Sequence, residues 1–217
     1  ETLGVSPAYT TPTTSGTSVN YAIDTTDTTT TSFVKALMQK YITYFQEQGC
    51  TMFNFAADEC GFSDMINNAA AYTSYAEFVN ELAAMVKSAN MTPMAFNDGI
   101  YHLNLKTNTA FDTSIVVCYW DATDSSYTSA ADLATKGFKI LNTNNKWYYV
   151  IGKEGTEWWG CGFAKQNMRD IDCLTIDGDN KQTTPVGCMA AIWCDYPENT
   201  VNWDNVQSYI STFSTSN

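Results

Sequence analysis

The chain has few of the residues that bind polyanions or build metal centres. Its 217 residues contain 11 basic residues against 23 acidic ones, which gives a formal charge of -12. Nucleic acids and anionic membrane surfaces both require a basic face, so neither is an expected partner. No apolar run approaches the length of a membrane span, and membrane insertion is therefore not expected.

The seven cysteines do not follow a metal-binding pattern. They include no C-x-x-C pair, and His102 is the only histidine, so the sequence predicts no zinc site. Three cysteines, Cys118, Cys188 and Cys194, lie within or beside apolar runs. We expect these three to be reduced and packed in a sheet as small hydrophobic residues.

Aromatic residues, in contrast, are abundant: there are 13 tyrosines, 11 phenylalanines and 6 tryptophans. Aromatic faces stack on the apolar faces of sugar rings, and carboxylates accept hydrogen bonds from sugar hydroxyls. The composition is therefore compatible with a carbohydrate partner, although large cores also use aromatic residues.

The length predicts a single domain over residues 1–217. Residues 1–31 are rich in threonine and serine and are expected to form a loop, whereas residues 32–217 are expected to form βα units. A first helix is predicted to begin at Ser32 and to end at Gly49, and a second to begin with a capping box at Ser74. The principal strands are predicted near residues 51–57, 92–97, 115–120, 138–142 and 186–193.

Strands that alternate with helices predict an α/β fold with a parallel sheet. Most of these strands end in an acid, or in an aromatic residue beside an acid or amide, as strands do at the catalytic rim of a (β/α)8 TIM barrel. A complete barrel needs eight strands, and about five are present. The sequence therefore predicts the C-terminal portion of a TIM barrel, completed by an N-terminal segment.

The acid pair Asp58-Glu59 stands at the end of the apolar run over 51–57. Charged residues rarely lie against a buried strand without a function there. In α/β folds the carboxyl ends of parallel strands carry the ligand site, but solvated loop acids are the competing interpretation.

Four motifs, in order along the chain, resemble glycoside hydrolase family 20, the β-N-acetylhexosaminidases. The branch of bacterial cell-surface hexosaminidases and lacto-N-biosidases is the most similar. The motifs are Phe-Asn-Phe-Ala-Ala-Asp-Glu at 53–59, Met-Ala-Phe-Asn-Asp-Gly at 94–99, Ile-Leu-Asn at 140–142 with Trp-Tyr-Tyr at 147–149, and the run at 187–195 that ends in Trp-Cys-Asp.

The resemblance implies substrate-assisted catalysis, in which the acetamide of the substrate replaces an enzymic nucleophile. Glu59 would protonate the departing glycosidic oxygen and later activate water, and its pKa would be raised by partial burial and the adjacent carboxylate. Asp58 would orient the acetamide, and Tyr148 would donate its hydroxyl to the acetamide carbonyl. Neither a cofactor nor a metal is expected.

The remaining implied site residues would contact the sugar. Trp120 and Trp193 would wall the pocket, although both could instead be core aromatics. Tyr149 competes with Tyr148 for one role. The implied substrate-binding set is Phe96, Asp98, Trp120, Tyr149, Trp193 and Asp195.

The family also anchors the sugar with an arginine from its first strand, and the only arginine here, Arg169, lies far from any matching motif. That arginine would belong to the N-terminal segment. The expected function is a retaining exo-glycosidase that removes terminal β-linked N-acetylglucosamine or N-acetylgalactosamine from glycans outside a bacterial cell or at its surface. The alternatives are a lacto-N-biosidase that releases a disaccharide, a non-catalytic carbohydrate-binding module, and an inactive fragment.

Overall fold

Helices and parallel strands alternate along most of the chain. The structure, a computed structural model, describes residues 9–12, 19–60, 62–122, 124–151, 157–158, 161–162, 172–176, 178–179, 182–193 and 201–215. Contacts group the chain into a first unit, Glu1–Val117 with Ser125–Thr128, and a second unit, Cys118–Asp124 with Ser129–Asn217. The predicted single domain over residues 1–217 is not tested by this grouping and stays a prediction.

The first unit begins with a hairpin and continues with βα units. Strands β1 and β2 pair in antiparallel register, with Tyr9 opposite Ala22, so the prediction that residues 1–31 form only a loop is wrong. The elements of this unit are β1 (Tyr9–Pro12), β2 (Val19–Ala22), α1 (Thr28–Glu47), β3 (Met52–Asn54), α2 (Phe62–Met65), α3 (Ala69–Ser88) and β4 (Thr92–Phe96).

Helix α1 begins earlier than Ser32, the predicted cap. Asp27 is the N-cap, and its carboxylate accepts the Thr29 N–H at 2.9 Å. The aspartate side chain accepts a hydrogen bond from a backbone N–H that the first turn leaves unpaired. The helix therefore begins after Asp27 and not at the serine farther along the chain. The predicted end is confirmed, because Gly49 follows the helix with a φ of 79°.

Helix α3 also begins earlier than predicted. Asn68 caps it by accepting the Ala71 N–H at 3.1 Å, so the predicted start at Ser74 is wrong. The extra turn adds Tyr72 to the buried face of the helix, one turn before Tyr75. Residues three or four apart share one face of a helix, and this is why both tyrosines are buried.

Strands β3 and β4 pair in parallel, with Met52 opposite Thr92 and Asn54 opposite Met94. The predicted strand near 92–97 is confirmed. The strand predicted over 51–57 is shorter, because Ala56 and Ala57 have positive φ values and leave the extended conformation.

The chain passes from the first unit into the second within β5 (Val116–Tyr119), which confirms the strand predicted near 115–120. Ser129 caps a short helix as predicted. The further elements are α4 (Ala130–Thr135), β6 (Lys139–Asn142), a 3-10 turn (Asn145–Trp147), β7 (Tyr149–Val150), β8 (Glu157–Trp158), β9 (Cys161–Gly162), β10 (Ile192–Trp193) and α5 (Trp203–Thr215).

The segment at 186–193 runs parallel to β6 and then to β7. At the start of the segment the Val186 N–H donates to the Ile140 carbonyl at 2.8 Å. At its end the Trp193 carbonyl accepts the Ile151 N–H at 2.9 Å. Only Ile192–Trp193 forms a regular strand, in parallel register with β7. The predicted strand is therefore confirmed in position and direction but is regular only at its end.

Cys188 is bonded to Cys173 in a disulfide, with a Cα–Cα distance of 5.3 Å. The prediction that Cys188 is reduced is therefore wrong. The apolar run beside Cys188 does not indicate a disulfide partner. Cys173 lies in a turn 15 positions earlier in the chain. Cys118 is a buried thiol, as predicted, and Cys194 lies outside the described residues.

Candidate active site

The acid pair lies on a loop that leaves β3 in an unusual conformation. Ala56, Ala57 and Glu59 have φ values of 65°, 66° and 47°. For residues with a side chain this left-handed conformation costs roughly 1–2 kcal/mol each. Strained backbone of this kind clusters at functional sites, where the surrounding structure stabilises it.

Hydrogen bonds hold the first part of this loop. The Ala56 N–H donates to the side-chain oxygen of Asn54 at 2.8 Å, and the Ala56 carbonyl accepts the Phe96 N–H at 3.0 Å. The predicted substrate contact Phe96 thus supports the loop through its backbone, and its ring is half-buried.

Two buried side chains hold the second part. The carboxylate of Asp98, which has no exposed surface, accepts the Glu59 N–H at 2.6 Å. The Tyr75 hydroxyl donates to the Ala57 carbonyl, also at 2.6 Å. Asp98 therefore supports the backbone of Glu59, and a contact with substrate stays a prediction for it. Tyr75 was not predicted from the sequence, because a tyrosine on the apolar face of a helix is indistinguishable from an ordinary core residue.

The electrostatics of the pair agree with the expected role of Glu59. Asp58 and Glu59 are both exposed residues. Neighbouring protein atoms still remove part of the hydration of their carboxyl groups, and this desolvation raises the pKa of Asp58. The same desolvation raises the pKa of Glu59, and the negative charge of Asp58 raises it further. A raised pKa keeps a carboxylic acid protonated closer to neutral pH, as a general acid requires.

A cavity of about 350 Å³ opens beside the two carboxylates. Apolar side chains of α1 and α3 form much of its wall, and the two acids line it as well. The described lining includes Val34, Met38, Phe78, Val79, Leu82, Asp58 and Glu59.

The second unit holds the aromatic residues of the predicted site. The rings of Tyr148 and Trp193 lie 5.0 Å apart between centroids, inclined by 48°. Tyr148 is 3% exposed and Trp193 is half-buried. Trp120 packs, also half-buried, against the same buried cluster. Trp120, Tyr148 and Trp193, which we call the aromatic group, thus lie in or against one hydrophobic cluster that also contains Tyr149.

Tyr149 lies beside Tyr148 in the chain but has different partners. Its ring centroid is 5.5 Å from that of Tyr209 in α5, and its N–H donates to the Ala191 carbonyl at 2.9 Å. The Tyr209 hydroxyl donates to the Trp147 carbonyl at 2.6 Å. Tyr149 therefore packs against α5, whereas Tyr148 packs against Trp193. Asp195, the last predicted site residue, lies outside the described residues.

The described residues show no group of three or more histidine, cysteine or acidic side chains that could hold a metal ion. In the same part of the chain, no helix is long and apolar enough to cross a membrane.

No family model matches the chain, but solved structures do. The tandem family 20 catalytic modules of the pneumococcal exo-β-D-N-acetylglucosaminidase StrH match with a TM-score of 0.77 and 28% identity, over 92% of this chain and 50% of that chain. Dispersin B matches with a TM-score of 0.60 and 20% identity, over 88% of this chain and 58% of that chain. A β-N-acetylhexosaminidase from Bacteroides fragilis matches with a TM-score of 0.58 and 15% identity, over 89% of this chain and 40% of that chain.

These matches confirm the resemblance carried by the four motifs. The chain spans about half the length of the StrH structures that it matches.

Proposed function

We propose that this chain, a structural relative of family 20 β-N-acetylhexosaminidases, belongs to the catalytic domain of a retaining exo-glycosidase. Its substrate would be a glycan with a terminal β-linked N-acetylhexosamine. The observation that carries the proposal is the Asp58-Glu59 pair at the carboxyl end of a parallel strand, on a strained loop where the pKa of Glu59 is raised. The 28% identity to StrH modules supports it.

In the proposed mechanism Glu59 and Asp58 have separate roles. Glu59 donates its proton to the glycosidic oxygen as the bond to the anomeric carbon breaks. The acetamide oxygen of the substrate attacks that carbon, and Asp58 orients the acetamide and stabilises the positive charge of the oxazolinium ion. Glu59, now ionised, then takes a proton from the water that opens this intermediate.

The aromatic group would supply contacts to the acetamide. Tyr148 would donate its hydroxyl to the acetamide carbonyl, and its packing against Trp193 supports this choice over Tyr149, which packs against α5. Trp120 and Trp193 would wall the pocket, with Phe96 and Asp195 as further sugar contacts.

The rest of the barrel would come from an N-terminal segment. Among the described residues β3 pairs on one side only, with β4. Helix α1 exposes large apolar side chains, including Tyr41 at 51% and Tyr44 at 57%. Exposed strand edges and apolar helix faces normally have a covering partner, and the missing strands and their arginine would supply it.

An extracellular or cell-surface location is proposed as well. The Cys173–Cys188 disulfide supports it, because disulfides form and persist in oxidising compartments.

The Glu59→Gln variant tests the proposed activity. We expect hydrolysis of N-acetylglucosaminides with poor leaving groups to fall by about 10²–10⁴-fold, since a general acid typically contributes that much. Substrates with good leaving groups should be affected less. Glu81→Gln is the matched control, because Glu81 is an exposed carboxylate that pairs with Lys35 on the surface of the same unit.

Activity of the Glu59→Gln variant close to wild type on natural linkages would remove Glu59 from the mechanism. Product analysis by chromatography separates the alternatives, since an exo-hexosaminidase releases a monosaccharide and a lacto-N-biosidase a disaccharide. Glycan binding without any hydrolysis would instead favour a non-catalytic carbohydrate-binding module.

A further inference from the structure

The loop that presents Glu59 cannot maintain its conformation alone. Ala56 and Ala57 both have positive φ values, and so does Glu59 itself. Residues with a side chain adopt this region rarely, so hydrogen bonds from the surroundings must stabilise it. The atom at the centre of the loop is the Ala57 carbonyl oxygen, two residues before Glu59.

Tyr75 holds that oxygen. Its hydroxyl donates to the Ala57 carbonyl at 2.6 Å, and the Cys60 thiol contacts the same oxygen at 3.7 Å. Tyr75 is 2% exposed, its ring is stacked on that of Tyr72 at 5.8 Å, and it meets the ring of Phe62 edge-on at 5.6 Å. The hydroxyl is therefore fixed in place by the packing of its ring against two aromatic neighbours.

Gly99 provides the space that Tyr75 needs. A Cβ atom at this position would lie 2.0 Å from the Tyr75 hydroxyl oxygen and 2.8 Å from a ring carbon of Phe62. No side chain could be added there without displacing the tyrosine. Gly99 directly follows Asp98, whose carboxylate accepts the Glu59 N–H. In the turn after β4, Asp98 thus accepts a hydrogen bond from the loop, and Gly99 leaves the space that Tyr75 occupies.

We propose that Tyr75 is a positioning residue for Glu59, with Gly99 as the residue that allows its close approach. The hydroxyl fixes the Ala57 carbonyl, and this fixes the direction in which the loop presents the Glu59 carboxyl group. None of the four family motifs includes Tyr75. The inference rests on the proposed role of Glu59 as the general acid.

The Tyr75→Phe variant keeps the ring and removes the hydroxyl. We expect kcat to fall by about tenfold to a hundredfold on an aryl N-acetylglucosaminide with a poor leaving group, because a small misplacement of a catalytic group has an effect of this size. The loss should be much smaller with a dinitrophenyl leaving group, which needs little protonation, and KM should stay within about threefold. Gly99→Ala should reproduce this pattern.

Tyr72→Phe is the matched control. Tyr72 lies one turn away on the same helix and is equally buried. Its hydroxyl donates to the Gly99 carbonyl and accepts the His102 N–H, so it does not bond to the Ala57 carbonyl as Tyr75 does. It should lower stability without the dependence on the leaving group. Similar losses in the Tyr75 and Tyr72 variants, or a Tyr75→Phe loss that is the same for both leaving groups, would overturn the proposal.

Hydrogen–deuterium exchange gives a readout that does not need activity. In the intact protein, the segment at 56–60 should exchange faster in Tyr75→Phe than in wild type or Tyr72→Phe. If the wild type hydrolyses no N-acetylhexosaminide, the proposed function fails while this measurement still tests whether Tyr75 holds the loop. Unchanged exchange at 56–60 in Tyr75→Phe would refute the positioning role.

Discussion

Removal of the disulfide between Cys173 and Cys188 should destabilise the protein by about 3 kcal/mol. The two residues are separated by 15 positions in the chain. A cross-link of that span lowers the entropy of the unfolded chain by an amount equivalent to about 3 kcal/mol at 25 °C. The bond also joins Cys173, which belongs to the core of the second unit, to the partly buried Cys188, which packs against that core.

The assay is thermal unfolding of Cys173→Ala, Cys188→Ala and the double variant in the intact protein under non-reducing conditions. A loss of about 3 kcal/mol corresponds to a fall in Tm of roughly 6–12 °C for a domain of about 150–250 residues, and to a smaller fall for a larger one. If the sulfurs are bonded, either single variant already removes the cross-link. The double variant should then be hardly less stable than the singles, and this non-additivity measures the coupling.

Cys50→Ser is the control, because Cys50 is free and exposed and its substitution should leave Tm unchanged. A peptide map without reductant should contain the Cys173–Cys188 linked peptide. Absence of that peptide, together with single losses that add up to the double loss, would refute the disulfide and restore the original expectation of a reduced Cys188.

Three further predictions follow from the site and its supports. The alkaline limb of kcat/KM should lie above pH 4.5, the ordinary pKa of a glutamate, because desolvation and the charge of Asp58 raise the pKa of Glu59. Asp58→Asn removes that charge, so the limb should move to lower pH, and a limb that does not move would contradict the assignment. Tyr209→Phe leaves the Trp147 carbonyl without its hydroxyl donor and should cost about 1–3 kcal/mol in urea unfolding; no change would show that the bond adds nothing. Residues 1–217 expressed alone should aggregate and be rescued by a co-expressed N-terminal segment, whereas a soluble, fully active monomer in size-exclusion chromatography would contradict the incomplete barrel.

Much of the fold could be predicted from local patterns. The strand at Thr92–Phe96, the short helix capped by Ser129 and the last helix follow from apolar periodicity and capping residues, which depend on neighbours a few positions away. The helix starts predicted at Ser32 and Ser74 are too late, because another capping residue, Asp27 or Asn68, precedes each of them. Where a helix begins depends on which of several suitable side chains accepts a hydrogen bond from a backbone N–H of the first turn.

Some of the candidate site residues could also be predicted from the sequence. An acid pair after an apolar strand makes Asp58 and Glu59 candidate site residues, because parallel strands present their carboxyl ends to ligands. The Trp-Tyr-Tyr run at 147–149 identifies a candidate acetamide donor but leaves two tyrosines. Sequence alone does not favour one of them, since packing sets their different neighbours, which are Trp193 for Tyr148 and α5 for Tyr149.

The sequence by itself determined the alternation of strands and helices, the acid pair and the family resemblance, because each depends on residues close together in the chain. Only the tertiary structure decided that Cys173 bonds to Cys188, that Asp98 accepts the Glu59 N–H and that the Tyr75 hydroxyl reaches the Ala57 carbonyl. These partners are 15, 39 and 18 positions apart. Contacts over such distances are set by how the elements pack, and no periodicity in the chain encodes them.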